Sequence, residues 1–560
     1  MGRVLAAFFL LPFASLWGQQ MTLGEVQTVV AQAVQESLSA SPNVDRVIAV
    51  VDREGHALAV WRVDVQSLPT PSEAVRAAVA GDAVRRAGTA AFLSSNQNAF
   101  TTRTAAFITE QHFPPGVANR PNGPLVGVGF SNLAFTDTNT FKAPKPDGTF
   151  PLPPVPGINA IQDDLSAEPA NTLRSVPYVR LSADAGGVPL FKDGVLIGGV
   201  GVAGNEVALS DFEIAFKPSV NERIALGAQA GFRPNPLIAG SSVLIDGIRL
   251  AYQVGGGSNA TIPNPMTYLM NPAHGQAVVL SDIDGVPASP DDDPVDYSPK
   301  ASPAPVTYPN PFGLVDRNGI PGELRTAIRA DPTGGPIGGQ ARLSAAQVES
   351  ILRLAVERST ITRAGIRLPR GQVARVWITV VGNPYPAGGE PPVLGTYRTP
   401  EATFFSWDVA VQKARTAIFF SRGLERGDPR AFSCRSVGFL SQKFYPPGIL
   451  GTPTGPLNGL QEVLSTKDFG GQLGGQVPLD VINLNVPNGI TIFPGGFPLY
   501  RNGVLVGAIG VSGDGIEQDD IIAASGARDF PPPPGARADT MVYERARIPY
   551  ARFPRVASGF

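Results

Sequence analysis

The sequence predicts an α+β protein made of two related units, each an antiparallel sheet with flanking helices, joined by an irregular glycine- and proline-rich region. Three observations carry this. "GGFPLYRNGVLVGAIGVSGDGIEQDD" from Gly495 repeats "GGVPLFKDGVLIGGVGVAGNEVALSD" from Gly186, with glycines in step. Each copy is preceded, in the same order, by matching helix-like and turn-like segments. The 63 glycines and 55 prolines crowd between the periodic segments, where turns and irregular connections are expected.

The chain opens with "MGRVLAAFFLLPFASLWGQQ". Arg3 is a short basic region, Val4 to Leu16 is mostly apolar, and small or neutral residues follow. An apolar run this short does not span a bilayer, so residues 1–18 read as a signal peptide processed near Gly18. The expectation is an exported protein, periplasmic or extracellular, with no transmembrane span in the mature chain.

The first unit is placed at residues 21–232. "MTLGEV" at Met21 pairs Thr22 with Glu25 as a capping box, with Met21 and Val26 at hydrophobic-staple spacing. Val26, Val29, Val30, Ala33 and Val34 then form a helical stripe. "RVIAVVDREGHALAVWRVD" reads as a hairpin turning at Arg53 to Gly55. A second helix, "AVRRAGTAAFLS" from Ala83, has an alanine stripe that lets it lie close to its support. "RTAAFITEQHFPPG" from Arg103 follows, then a loop insertion within "TDTNTFKAPKPDGTFPLPPVPG", then the hairpin at Gly186 turning at "KDG". In the returning strand Val195, Ile197, Gly199 and Gly201 alternate onto one face. That small-residue face suits either a close helix or a flat ligand.

The second unit, 341–530, repeats this order. "LSAAQV" at Leu343 has the cap pair Ser344 and Gln347, and its helix carries Val348, Ile351, Leu352, Ala355 and Val356. "ARVWITVVGNPYP" and "PPVLGTYRT" are its hairpin strands, separated by a longer excursion. "AVQKARTAIFFS" from Ala410 and "RSVGFLSQKFYPPG" from Arg435 follow, and the late hairpin turns at "RNG". The matches keep order while their offset moves from 322 (Met21 to Leu343) through 332 (Arg103 to Arg435) to 309 (Gly186 to Gly495). Residues 233–340 show no clear copy beyond short strands such as "VLIDGIRLAYQVGGG", and 531–560 is a C-terminal extension. The acidic "DIDGVPASPDDDPVDYSPK" reads as a solvated loop, because Gly285 comes too early for an EF-hand.

Composition narrows the function. Basic and acidic residues number 45 and 47, without the basic bias of a nucleic-acid binder. Cys434 is the only cysteine, so no intrachain disulfide and no cysteine-based zinc or iron–sulfur centre is expected, and Cys434 reads as a small buried residue. No GxSxG, HExxH or CxxCH motif occurs.

The "VVDREGH" hairpin at Val50 to His56, the "RRAGTAAF" and "QKARTAIF" helices, and the two late glycine-rich segments together resemble the GlcG/HbpS-like (DUF336) haem-binding family. The resemblance implies a profilin-like fold in two divergent tandem copies, non-covalent haem as cofactor, and assembly as a homo-oligomer; the duplication itself suggests an internal pseudo-dimer, in which each small unit buries an apolar face. Copy two departs from the pattern, since "VVGNPYPAGG" replaces "VVDREGH".

Haem iron commonly takes histidine, and the chain has three. His56 is the candidate metal ligand by chemistry; a solvated hairpin residue is the other reading. His112 lies where copy two has Phe444, so packing competes with ligation, and His274 reads as a loop residue. Arg103 and Arg435 match in position and suit either a propionate clamp or a fold-internal carboxylate. Asp211 and Asp520 read as a matched pair near the last helix of each unit. Three functions stay open: a non-enzymatic exported binder of haem or another small molecule, an enzyme of tetrapyrrole or small-molecule metabolism, and an interaction module that has lost its ligand.

Overall fold

The computed structural model describes most of residues 20–125 and 182–554. Residues 41–43, 64–72, 110–112, 118–122, 281–294, 305–307, 314–320, 366–371 and 459–489, with single positions such as 205 and 211, lie outside the described set. The signal-peptide segment, His112, Asp211 and the loop insertion of unit one fall there too.

Unit one starts as its cap predicts. Thr22 N–H donates to Glu25 Oε2 at 2.8 Å, Glu25 N–H returns to Thr22 Oγ1 at 3.3 Å, and α1 runs Leu23–Ala40. Strands β1 (Arg46–Asp52) and β2 (Ala57–Val63) form the early hairpin, α2 (Glu73–Leu93) and α3 (Thr102–Thr109) follow, and β3 (Gly187–Lys192) and β4 (Val195–Ala203) form the late one. Helix α4 (Val220–Ala228) closes the unit, capped by Ser219. A two-residue strand, β5 (Gln276–Ala277), adds to the free edge of β2, giving the order β3-β4-β1-β2-β5 with every pairing antiparallel.

Unit two has β6 (Glu323–Thr326), α5 (Ala345–Ile361) with both halves of its capping box formed, β7 (Trp377–Gly382) and β8 (Val393–Arg398). Helices α6 (Phe405–Phe420) and α7 (Cys434–Leu440), strands β9 (Gly496–Arg501) and β10 (Val504–Ser512), and α8 (Ile516–Ala527) complete it. The sheet order is β6-β8-β7-β10-β9, the same topology as unit one read from the other edge. The pairings agree in detail: Val47 faces Ala203 and Trp377 faces Ser512, while both early hairpins slip register at Val50/Val51 and Val380/Val381. The connecting region therefore does more than join the units. It gives an edge strand to each sheet, β5 after unit one and β6 before unit two.

The repeat also runs further than the sequence alone places it. Phe191 N–H donates to Phe232 O, and Tyr500 N–H to Phe530 O, so Phe232 and Phe530 correspond. Beyond them, the hairpins Leu244–Arg249 and Val542–Arg547 pair alike. Thr104 Oγ1 donates to Ala251 O and Ser436 Oγ to Pro549 O, each at 2.7 Å. The segment after residue 530 is thus part of unit two, and its counterpart begins the connecting region. Only the hairpin frame is shared, "VLIDGIRL" against "MVYERARI", which is why the sequence hides it.

Each sheet lies between two helical layers. Helices α1 and α4 cover one face of unit one, where Val29, Ile48, Val50, Val200 and Ile224 share a core. Helix α2 covers the other, over Val47, Ala49 and Val51. The small-residue face of β4 meets this helix: a Cβ on Gly201 would lie 2.1 Å from Ala83 O, and one on Gly510 would lie 1.9 Å from Ala410 O. Close helix packing is therefore what those glycines permit. Ile197 does not share that face. Leu190 pairs with Gly198 and Phe191 with Leu196, so Ile197 is the extra residue of a bulge and turns to the α1 side.

Candidate functional site at the junction of the units

The α2 side of unit one meets α6 of unit two. One apolar cluster contains Val47, Ala83, Ala87 and Phe100 together with Phe404, Phe405, Trp407 and Val411. Helix α6 is buried on all sides from Phe405 to Ile418 because it is wedged between its own sheet and unit one.

The β1–β2 turn reaches this junction. Asp52 organises it: Oδ1 accepts the N–H groups of Glu54 and His56, each at 2.9 Å, and Oδ2 lies 2.8 Å from His56 Nδ1. Gly55 takes φ +86°, which the tight turn requires. His56 is buried, 7% exposed, so it is not a solvated hairpin residue.

The two charged residues between Asp52 and His56 are held by unit two and the segment leading into it. Arg325 grips Glu54 with two bonds, Nη1 to Oε1 at 2.9 Å and Nη2 to Oε2 at 2.6 Å. Arg53 Nη2 donates to Glu401 Oε1 at 3.0 Å, and Glu401 Oε2 accepts Asn96 N–H at 3.0 Å. Glu323 bridges Arg325 at 3.1 Å and Arg398 at 3.3 Å. Arg398 lies over the Phe404 ring at 4.3 Å, and Trp377 stacks on Trp407 at 4.7 Å. Burial alone would raise the Glu54 carboxyl, but Arg325, with His56 and Arg398 nearby, draws it down to about 2. Burial lowers Arg398 to about 10 against the pull of Glu323. Three arginines thus face three carboxylates around a carboxylate-held imidazole.

Unit two lacks this hairpin chemistry. By register Gly382 stands where unit one has Asp52, since they face Gly507 and Gly198. On the helix, Arg415 stands where unit one has Gly88, because Ala83 and Ala87 match Ala410 and Ala414 against the sheet glycines. Arg415 is buried, pairs with buried Glu390 and points Nε at Pro391 O, 3.4 Å away at the start of the returning strand. Gly88 is also buried, yet among the described residues a Cβ added there would meet only Phe92 Cε2, at 4.0 Å. At this helix position unit one thus has a glycine where unit two sets an ion pair against its own hairpin.

The two arginines flagged by the sequence lie away from this junction. Arg103 is fully buried on α3. Its Nε and Nη2 hold both Glu222 oxygens, at 2.7 and 2.8 Å, while Nη1 and Nη2 donate to Ile214 O at 2.5 Å and Lys217 O at 3.0 Å. Arg435 Nε meets Asp520 Oδ2 at 2.5 Å. Glu222 accepts Val254 N–H and Asp520 accepts Arg552 N–H, each at 3.0 Å, so the two pairs occupy one structural position. Both arginines hold a fold-internal carboxylate, one of the two partners left open by the sequence. The counterpart of Asp520 is accordingly Glu222 rather than Asp211.

His274 stacks on Tyr268 at 3.8 Å and its Nδ1 lies 2.8 Å from Tyr268 O, remote in sequence from both hairpins. Cys434 is buried, with Sγ 3.1 Å from Lys413 O, and burial pushes its thiol up. Among the described residues no three His, Cys, Asp or Glu side chains cluster as a metal site, and no helix is long and apolar enough to cross a membrane. Sequence reasoning found His56 but missed Arg325, Glu323, Arg398 and Glu401, which carry no local motif.

Residues 387–528, the greater part of unit two, match the family model described as haem degrading protein HbpS-like. The chain thus contains an HbpS-like unit, and unit one shares that unit's strand order and register. No curated protein matches. Among solved structures, the chain is similar to a PduOC–haem complex at 23% identity over 34% of this chain and 96% of that one, with a TM-score of 0.22. It is similar to a double mutant of Streptomyces reticuli HbpS at 19% identity, over 36% and 97%, TM-score 0.21. It is also similar to Klebsiella pneumoniae ORFY at 18%, over 39% and 92%, TM-score 0.20.

Proposed function

We propose that this chain, which contains an HbpS-like unit, binds a haem-type tetrapyrrole non-covalently in its first unit, with His56 as the iron-facing side chain. The observation that carries the proposal is the 2.8 Å contact between Asp52 Oδ2 and His56 Nδ1. A carboxylate there orients the imidazole through Nδ1, as the carboxylate partners of ligating histidines do. The choice of unit one is supported by glycine at position 88, where unit two carries Arg415 paired with Glu390. The imidazole donor fits the group. Arg53 and Arg325 are already paired with Glu401 and Glu54, so they are not assigned to its carboxylates. Bound haem would supply a redox-active iron; the protein's own residues hold the imidazole and shield it from water.

The test is a haemin titration of the purified chain and two variants. His56→Ala should change the Soret position and weaken binding, whereas His274→Ala should leave both as in the wild type. Identical spectra for His56→Ala and wild type would remove His56 from the proposal.

The family description, haem degrading, favours a second reading, turnover of the bound tetrapyrrole. Decay of the Soret band under reductant and dioxygen, faster than for free haemin, would separate turnover from binding. We also propose export, supported by the basic-then-apolar pattern of residues 1–18.

A further inference from the structure

The His56 turn is built by unit one but held from outside it. Asp52 fixes the turn locally, through the N–H groups of Glu54 and His56. The intervening Arg53 and Glu54 point away from the turn into the junction. There they meet Glu401 and Arg325, which stand 348 and 271 residues further along the chain. Arg325 is 4% exposed and uses a two-bond fork, a geometry that fixes orientation as well as distance. It is itself braced by Glu323 at 3.1 Å and lies over the Phe404 and Trp407 rings at 5.6 and 5.4 Å. Glu401 spends its second oxygen on Asn96 N–H, which ties the same clamp to the end of α2.

We infer that Arg325 and Glu401 are positioning residues, supplied from outside unit one, that hold the His56 imidazole in place. The inference rests on the reading of His56 as the ligand-facing residue only for its consequence in binding. Glu401 of unit two and Arg325 of the segment leading into it then serve as the clamp that completes unit one.

The test uses the full chain with selectively labelled histidine, which gives three ring signals at most, assigned with His56→Ala. Arg325→Met should shift or broaden the His56 signal at fixed pH while leaving His274 unmoved. Arg325→Lys keeps the charge but not the fork, and should fall between. Glu401→Gln, nearly isosteric, should move the same signal less and gives a reading should Arg325→Met not fold. An unmoved His56 signal in folded Arg325→Met, or in Glu401→Gln where that is the folded variant, overturns the inference. Haemin affinity should fall about tenfold in Arg325→Met, the size of effect expected when the group orienting a ligand is lost. A moved His56 signal with unchanged affinity would count against His56 as the ligand while upholding the clamp. A wild type that binds no haemin would sink the binding proposal and leave the histidine signal to decide this one.

Discussion

Replacing Arg103 with methionine tests whether the matched arginines belong to the fold. The side chain is 0% exposed and donates four hydrogen bonds, two of them to Glu222. Arg103→Met keeps most of the volume but leaves Glu222, 1% exposed, with only its backbone donor from Val254. Breaking one side of such a buried pair costs about 3–5 kcal/mol, because the remaining charge is stranded. Ile214 O and Lys217 O also lose their donor, which adds to the cost. The double variant Arg103→Met/Glu222→Leu removes both charges and should recover most of the loss. Urea unfolding followed by circular dichroism reads the change, and haemin titration of the folded variant should give the wild-type spectrum. A single variant within about 1 kcal/mol of wild type would mean that the pair does not hold the fold, since a surface pair is worth that little. So would a selective loss of haemin affinity at unchanged stability.

Three further outcomes follow. Burial pushes the Asp520 carboxyl up to about 6 despite Arg435, so its contribution to stability is present below its ordinary value near 3.8 and is lost as pH rises through 6; Asp520→Asn should flatten a loss of about 3 kcal/mol across that window in pH-dependent unfolding, and an unchanged slope would count against it. Glu54, drawn down to about 2, contributes above its ordinary value near 4.5 and loses that contribution as pH falls through 2, so Glu54→Gln should reduce the acid sensitivity of the junction, read by tryptophan fluorescence from Trp377 and Trp407. In the native host, N-terminal sequencing of the mature protein should begin near Gln19; a product retaining Met1 would refute export.

Much of the fold was legible because it rests on local periodicity. The caps at Thr22 and Ser344, the early hairpins, and the "KDG" and "RNG" turns with Gly194 and Gly503 at φ +79° and +82° all follow from short-range rules. Ile197 was misplaced because a bulge at Leu190/Phe191 shifts the alternation, and no residue type announces it. The pairing of Arg103 with Glu222 was hidden because unit one carries extra residues between β4 and α4, so the offset of 309 that holds through the late hairpin falls to 298 at Phe232 and Phe530. Of the site, the turn Asp52 to His56 was readable as one motif. Its setting was not, because Arg325 and Glu401 reach it only through packing across hundreds of residues.

Gly88→Arg carries the unit-two residue into unit one. It should abolish haemin binding while the His56 turn, monitored by its ring signal, stays formed; unaffected binding would mean that the ligand does not approach this face of the helix.

Binding by unit one alone sets a stoichiometry of one haemin per chain. Haemin titrated into the wild-type chain, followed at the Soret band against protein concentration, measures it most directly. The expected result is a saturable change that ends at one haemin per chain. An end point of two per chain, or no saturable change in either iron oxidation state, would contradict it.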